Sequence, residues 1–128
     1  MDEKYIINVV NNEKYSIGGY FALGGKHGTF YPDTIIPLRK DYVTSEINSY
    51  ESNIEWGKIF KQLPKDTLSI FIFHTDTLNK YPWKEVRNGY KILKRYDLSL
   101  QDIEKLNYKV PYSPSREMEE MKMYPKYP

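Results

Sequence analysis

Several short stretches of the chain alternate between apolar and polar residues, and this pattern predicts a domain built mainly from β-strands. Residues 4–10 are rich in β-branched side chains, and residues 14–23 place their apolar side chains at every second position. Residues 11–13 between them begin with two asparagines, which tolerate the left-handed backbone of a turn. The two stretches together predict an N-terminal hairpin.

Residues 67–74 (TLSIFIFH) form the strongest predicted strand, because both of its faces are substantially apolar. We therefore expect a central, covered strand with Ile70 and Ile72 buried. Pro111 removes a backbone donor from the last predicted strand and confines that strand to a sheet edge. The further predicted strands are residues 41–49, 90–96 and 108–112.

Three short helices are predicted from local start and stop signals. Ser52 begins an S-x-x-E capping box before a helical apolar face that starts at Trp56 and ends at Pro64. Pro82 is well placed in the first turn of a second helix. Ser99 begins the related S-x-x-D pattern, which predicts a third helix.

The combined pattern predicts an α+β, β-rich fold with a mostly antiparallel sheet, compatible with a sandwich, and about three short helices. A chain of 128 residues is the length of one ordinary domain. We place that domain at residues 1–113 and a C-terminal tail at residues 114–128, where prolines recur. Met118 and Met121 in the tail leave two alternatives, a frayed terminus and a docking element.

Composition excludes several functional classes. The chain has no cysteine, which excludes disulfides, thiolate zinc sites and cysteine nucleophiles. It has no apolar run of transmembrane length. The formal net charge of +2 is too small to indicate nucleic acid. Residues 91–96 interleave basic and apolar side chains, but without an RNP-type motif a strand with one solvated basic face is the simpler interpretation, and we predict no nucleic-acid partner.

The two histidines are the only side chains that suggest metal chemistry. His27 and His74 would need a further ligand, for which Asp33 or Asp76 is available, but no H-x-x-x-H pair positions them in advance. The glycine-rich loop at residues 24–28 does not match a Walker P-loop, and no G-x-S-x-G elbow is present. We therefore expect no metal, no cofactor and no catalytic residues.

Tyrosine is the remaining functional signal. The chain contains thirteen tyrosines, and a domain of this size cannot bury them all. Exposed tyrosines make good contacts with protein or carbohydrate, because a large ring loses little entropy on binding, although β-propensity also explains many of them. The candidate binding residues are Tyr20, Tyr31, Tyr42, Tyr108 and Tyr112.

The C-terminal half carries the motifs WKEVR at residues 83–87, YKILKRYDLS at residues 90–99 and LNYKVP at residues 106–111. These resemble a signature of small uncharacterised proteins of gut-dwelling anaerobic bacteria, in which LKRYDLS is the most specific element. YPDT at residues 31–34 and DTLSIFIF at residues 66–73 also fit, so that the resemblance spans roughly residues 5–113.

The resemblance implies a secreted or lipoprotein-like protein and no known activity. Residues 1–4 are not followed by the apolar segment of a signal peptide, and the chain has no lipobox cysteine. We therefore expect the cell envelope or secretion if the chain is a mature fragment, and the cytoplasm otherwise. The function expected on this basis is a non-enzymatic binding or accessory module of the bacterial cell envelope. The alternative is a metal-dependent hydrolase that uses the His27 and His74 region.

Overall fold

A computed structural model describes residues 5–22 and 47–127, which form two β-sheets and several short helices. The strands are β1 (Tyr5–Asn11), β2 (Ile17–Ala22), β3 (Ile47–Ser52), β4 (Thr67–His74), β5 (Lys94–Ser99), β6 (Lys109–Tyr112) and β7 (Lys122–Tyr124). The α-helices are α1 (Trp56–Lys61), α2 (Thr75–Lys80), α3 (Trp83–Asn88) and α4 (Leu100–Lys105). Short 3-10 helices occupy Pro64–Asp66 and Arg116–Met118.

The two sheets are mostly antiparallel, which confirms the predicted α+β, β-rich fold and its sandwich-like arrangement. The three-stranded sheet has the order β3-β1-β6, with β1 antiparallel to β3 and parallel to β6. The four-stranded sheet has the order β2-β4-β5-β7 and is antiparallel throughout. Pro111 lies in the edge strand β6, as its missing backbone donor predicts.

The predicted N-terminal hairpin is wrong, because β1 and β2 belong to different sheets. The side chain of Asn11 stabilises the connection between them, because its Nδ2 donates to the Tyr15 carbonyl at 2.7 Å and its Oδ1 accepts from the Glu13 backbone amide at 2.9 Å. The turn chemistry was therefore recognised, but the turn carries the chain from one sheet to the other. Pairing with β3 and β6 buries Ile7 and Val9 of β1 completely.

The main core draws on residues of both sheets, of α1 and α4 and of the C-terminal tail. Its buried members from the four-stranded sheet come from one face, which we call the inner face: Ile17, Leu68, Ile70, Ile72, Tyr96 and Leu98. A smaller cluster on the opposite, outer face contains Phe71 and Phe73 of β4 together with Val86 of α3. The prediction that β4 is a central strand with Ile70 and Ile72 buried is thus confirmed.

The two predicted capping boxes have opposite outcomes. Ser99 accepts from the Asp102 amide at 3.1 Å, and the Asp102 carboxylate accepts from the Ser99 amide at 3.0 Å, which confirms the box on α4. The box at Ser52 is wrong, because α1 is preceded by Glu55 and has no side-chain cap. The Ser52 hydroxyl instead accepts from the Ile54 amide at 3.0 Å, a local turn at the end of β3.

Two further differences arise around β4 and β5. Helix α2 follows β4 directly and was not predicted, since none of its residues is buried and it lacks an apolar face. The strand predicted from residue 90 begins only at Lys94, because Tyr90 has a φ of 50° and cannot continue an extended strand. The described residues therefore contain one α-helix more than predicted.

The C-terminal tail packs on the domain and is not frayed. Strand β7 pairs with β5 and covers what would otherwise be an open sheet edge. Met118 is completely buried in the main core, and Met121 is also buried. The side chain of Lys94, which is only 4% exposed, donates to the Pro125 carbonyl. Of the two alternatives for the tail, docking on its own domain is the one that the structure shows.

Candidate functional site

The register of the four-stranded sheet places three aromatic side chains and one arginine in a row on the outer face. Tyr20 of β2 lies opposite Phe71 of β4, Phe71 lies opposite Arg95 of β5, and Arg95 lies opposite Tyr124 of β7. These four residues alternate with inner-face residues along their strands, so their side chains stand on the other side of the sheet. We call them the outer row.

Arg95 lies among the aromatic rings of the outer face. Its guanidinium donates to the Tyr90 hydroxyl, and its Cζ lies 5.8 Å from the centroid of the Tyr124 ring. The Tyr90 ring contacts the Tyr124 ring at 6.3 Å and the Phe71 ring at 6.4 Å, measured between centroids. Tyr124 is 55% exposed, so this group of rings and its guanidinium reach the molecular surface.

The carboxylate of Asp97 fixes the orientation of Arg95. One oxygen accepts from Arg95 Nε at 3.1 Å, and the other accepts from the Ser69 hydroxyl at 2.7 Å. Ser69, Asp97 and Lys122 lie opposite one another on adjacent strands and form a polar row next to the outer row. Because both carboxylate oxygens of Asp97 are engaged, the group positions Arg95 and is not arranged as a general base.

Tyr90 adopts a left-handed backbone conformation that non-glycine residues seldom occupy. Such a conformation costs about 1–3 kcal/mol and persists only where the surrounding structure enforces it. Here the backbone on either side is tied down, since the Lys91 amide donates to the Val86 carbonyl at 3.0 Å and the Gly89 amide donates to the Glu85 carbonyl at 2.9 Å. The strained turn brings the Tyr90 ring against Phe71 on the outer face.

A second group of tyrosines lies on the other side of the sheet, with Tyr96 and Tyr112 buried and Tyr15 and Tyr127 partly buried. The hydroxyls of Tyr112 and Tyr15 lie 2.9 Å apart, and the Tyr96 hydroxyl bonds to the Tyr127 hydroxyl. Burial raises the pKa of Tyr96, and the hydrogen bond to Tyr127 raises it further. Burial likewise raises the pKa of Tyr112, with a further contribution from its bond to Tyr15. This group joins the tail to both sheets and is structural.

The structure places the predicted binding tyrosines in different parts of the molecule. Tyr20 lies on the outer row, whereas Tyr112 is buried in the tyrosine group. Tyr108 is half-buried against the main core at the end of α4, where its φ is 62°. Tyr31 and Tyr42 lie outside the described residues. The set that the structure brings together contains Tyr90, Arg95 and Tyr124, which the prediction missed.

The basic run at residues 91–96 does not form the continuous solvated face that was predicted. Lys94 points to the inner face, where its ammonium lies 3.8 Å from the centroid of the Tyr127 ring, whereas Arg95 points to the outer face. Burial lowers the pKa of Lys94. Consecutive residues of a strand point to opposite faces, so Lys94 and Arg95 do not share one basic face.

His74 lies at the end of β4 and caps α2. Its Nδ1 accepts from the Asp76 amide at 3.0 Å, and its ring stacks on Tyr15 with centroids 4.9 Å apart. Within residues 5–22 and 47–127, no group of three or more histidine, cysteine, aspartate or glutamate side chains is placed to hold a metal ion. His27 lies outside the described residues, so the alternative of a His27 and His74 hydrolase stays a prediction.

No family model, curated protein or solved structure matches this chain. The resemblance to the secreted or lipoprotein-like family therefore stays a prediction. In the part of the chain that the structure covers, no helix has the length and apolarity needed to cross a membrane.

Proposed function

We propose that this protein is a non-enzymatic binding module that holds a carbohydrate at the exposed end of its outer row, where Arg95 and Tyr124 lie. The observation that carries the proposal is the exposed Tyr124 ring beside a guanidinium whose position is fixed by Asp97 and Tyr90. A pyranose ring presents an apolar face of C–H groups and an edge of hydroxyls. The aromatic ring suits the apolar face, and the charged groups suit the hydroxyls.

The polar groups of the outer face support binding of a neutral polyhydroxylated ligand. Arg95 supplies donors in an orientation fixed by Asp97, and the ammonium of Lys122 adds a donor one row away. The side chains of Arg95 and Asp97 are held in place before the ligand arrives, which lowers the entropic cost of binding. The side chains of Arg95 and Asp97 are 33% and 24% exposed, so both have surface that a ligand can contact.

Binding, rather than catalysis, is also favoured by the state of the one carboxylate in this group. Asp97 already accepts from Ser69 and Arg95, so neither of its oxygens is poised to remove a proton from a ligand. The location at the bacterial cell envelope is part of the same proposal and rests on the resemblance of residues 5–113 alone. Cell fractionation of the native organism with an antibody against the domain tests that location separately.

A glycan array followed by calorimetric titration of the best glycan tests the proposed function. Tyr124→Ala should weaken binding about tenfold or more, because a central aromatic contact is a typical hot spot. Ile54→Ala is the matched control, since Ile54 is 56% exposed and lies in the connection that follows β3, outside the four-stranded sheet. Binding that Tyr124→Ala leaves unchanged, or the absence of any saturable glycan binding, would contradict the proposal.

A further inference from the structure

A separate cavity of about 290 Å³ lies at the end of β4, next to the helix that His74 caps. It is lined by His74, Thr77, Tyr81, Lys91, Ile92 and Leu93. These residues come from the end of β4, from α2 and the residue after it, and from the segment that leads into β5. None of the outer-row residues lines the cavity, so an inference about it is independent of the proposed function.

Each polar side chain that lines this cavity can donate a hydrogen bond, and the hydroxyls of Thr77 and Tyr81 can also accept one. Nδ1 of His74 accepts from the Asp76 amide, so in the neutral imidazole the proton is on Nε2, which is then a donor. Lys91 contributes an ammonium, and Thr77 contributes a hydroxyl that is free to orient towards an acceptor. None of the residues lining the cavity carries a carboxylate. A cavity with this lining favours a ligand that presents several hydrogen-bond acceptors.

The ammonium of Lys91 packs against an aromatic ring. Its Nζ lies 4.5 Å from the centroid of the Tyr81 ring. Among the described residues, no carboxylate lies within 4.0 Å of this nitrogen. The Lys80 ammonium lies 5.4 Å from the same ring, which adds a second cation nearby. Asp76 is mostly exposed and lies on the Nδ1 side of His74, at 3.8 Å.

We propose that this cavity binds the phosphate group of a small phosphate monoester. Lys91 supplies the charge, and His74 and Thr77 supply hydrogen bonds to the phosphate oxygens. Lysine binds phosphate as a point charge, whereas a planar carboxylate is matched best by the fork of an arginine, which this cavity lacks. The volume exceeds that of a bare phosphate, and the side chains of Tyr81 and Ile92 provide a wall for the organic part of the ligand.

Amide chemical-shift titrations at constant ionic strength test this proposal. Phenyl phosphate is the main probe, inorganic phosphate tests the group alone, and benzoate tests a carboxylate on the same ring. Phenyl phosphate should give saturable shifts confined to residues 74–81 and 90–93. Lys91→Gln and Thr77→Val should each weaken binding, Lys91→Gln by about tenfold or more, because a charge-assisted hydrogen bond is lost. Lys84→Gln, the same change of charge on an exposed lysine of α3, should leave the affinity unchanged.

Three results would overturn the proposal. The first is the absence of saturable shifts with phenyl phosphate. The second is an equal loss of affinity in Lys91→Gln and Lys84→Gln, which would show a general effect of net charge. The third is benzoate binding as tightly as phenyl phosphate, which would assign the cavity to carboxylates. An unchanged amide spectrum of each variant outside the cavity establishes that a loss of binding is not a loss of folding.

Discussion

The inner and outer faces of the four-stranded sheet are built from alternate residues of the same strands, yet their side chains differ in burial and polarity. On the inner face, Ile70, Ile72, Tyr96 and Leu98 are completely buried in the main core. On the outer face, Arg95 and Asp97 form an ion pair next to the exposed Tyr124 ring. Because neighbouring residues in a strand point to opposite faces, substitutions one position apart in β5, whose buried and partly exposed residues alternate, should separate stability from binding.

The largest effect is expected from the tail, which completes the inner face. Deletion of residues 114–128 removes β7 and the buried side chains of Met118 and Met121. Each buried methionine contributes about 1.5–3 kcal/mol, so we expect the free energy of unfolding in denaturant to fall by at least about 3 kcal/mol. Lys122→Ala, an exposed substitution on the outer side of β7, serves as the control. A truncated chain as stable as the intact one would show that the tail does not belong to the core.

Ile70→Ala tests the inner face within β4 itself. Ile70 is completely buried, and a large-to-small change at such a site costs about 2–5 kcal/mol. The adjacent Ser69 points outward and donates one hydrogen bond to Asp97, so Ser69→Ala should cost only about 1 kcal/mol. Equal losses in urea unfolding would break the distinction between the two faces.

The pH dependence of stability tests the buried tyrosine group. Burial raises the pKa of Tyr96 above its ordinary value of 10.0, so above pH 10 the unfolded chain loses this proton while the folded chain keeps it. The stability that Tyr96 contributes is therefore fully present below pH 10 and falls by about 1.4 kcal/mol per pH unit above it. In Tyr96→Phe the free energy of unfolding should therefore fall less steeply above pH 10, by that amount per pH unit. A Tyr96→Phe profile parallel to the original would contradict the burial of this hydroxyl.

A smaller effect is expected at Ser99, an outer-face position of β5 that contributes to stability by capping a helix. Ser99→Ala removes the acceptor for the Asp102 amide and should cost about 0.5–2 kcal/mol. Ser52→Ala should cost less, because the Ser52 hydroxyl bonds only within its own turn and caps no helix. Thermal unfolding of both variants measures the difference. A larger loss at Ser52 would restore the capping box that the sequence predicted.

Features that depend on neighbouring residues were predictable from the sequence. The covered strand β4 follows from its apolar residues on both faces, and the Ser99 box follows from residues three apart. The sheet that β1 joins and the packing of the tail both depend on pairing with strands that are distant in the sequence. No local sequence pattern specifies such pairing. The turn at Asn11 was recognised, but a turn does not reveal which strand the chain joins next.

The candidate site was harder to predict than the fold. Only Tyr20 was recognised, because the outer row exists only once four strands are in register. The motif KRYDLS indicates the position of Arg95, because its polar residues alternate with Tyr96 and Leu98 along the strand. A run of basic residues does not by itself show that Lys94 and Arg95 point to opposite faces. The position of Tyr90 depends on a left-handed turn at a non-glycine residue, which residue preferences argue against.

The central claim is that the outer face binds a ligand at Arg95 and Tyr124 while the inner face stabilises the fold, and Tyr124→Ala tests it most directly. The variant should be studied by denaturant unfolding and by glycan titration on the same sample. The account predicts a loss of less than about 1 kcal/mol in the free energy of unfolding, as for a surface position, together with a loss of about tenfold or more in glycan affinity. Unfolding destabilised by several kcal/mol, or glycan affinity that does not change, would contradict it.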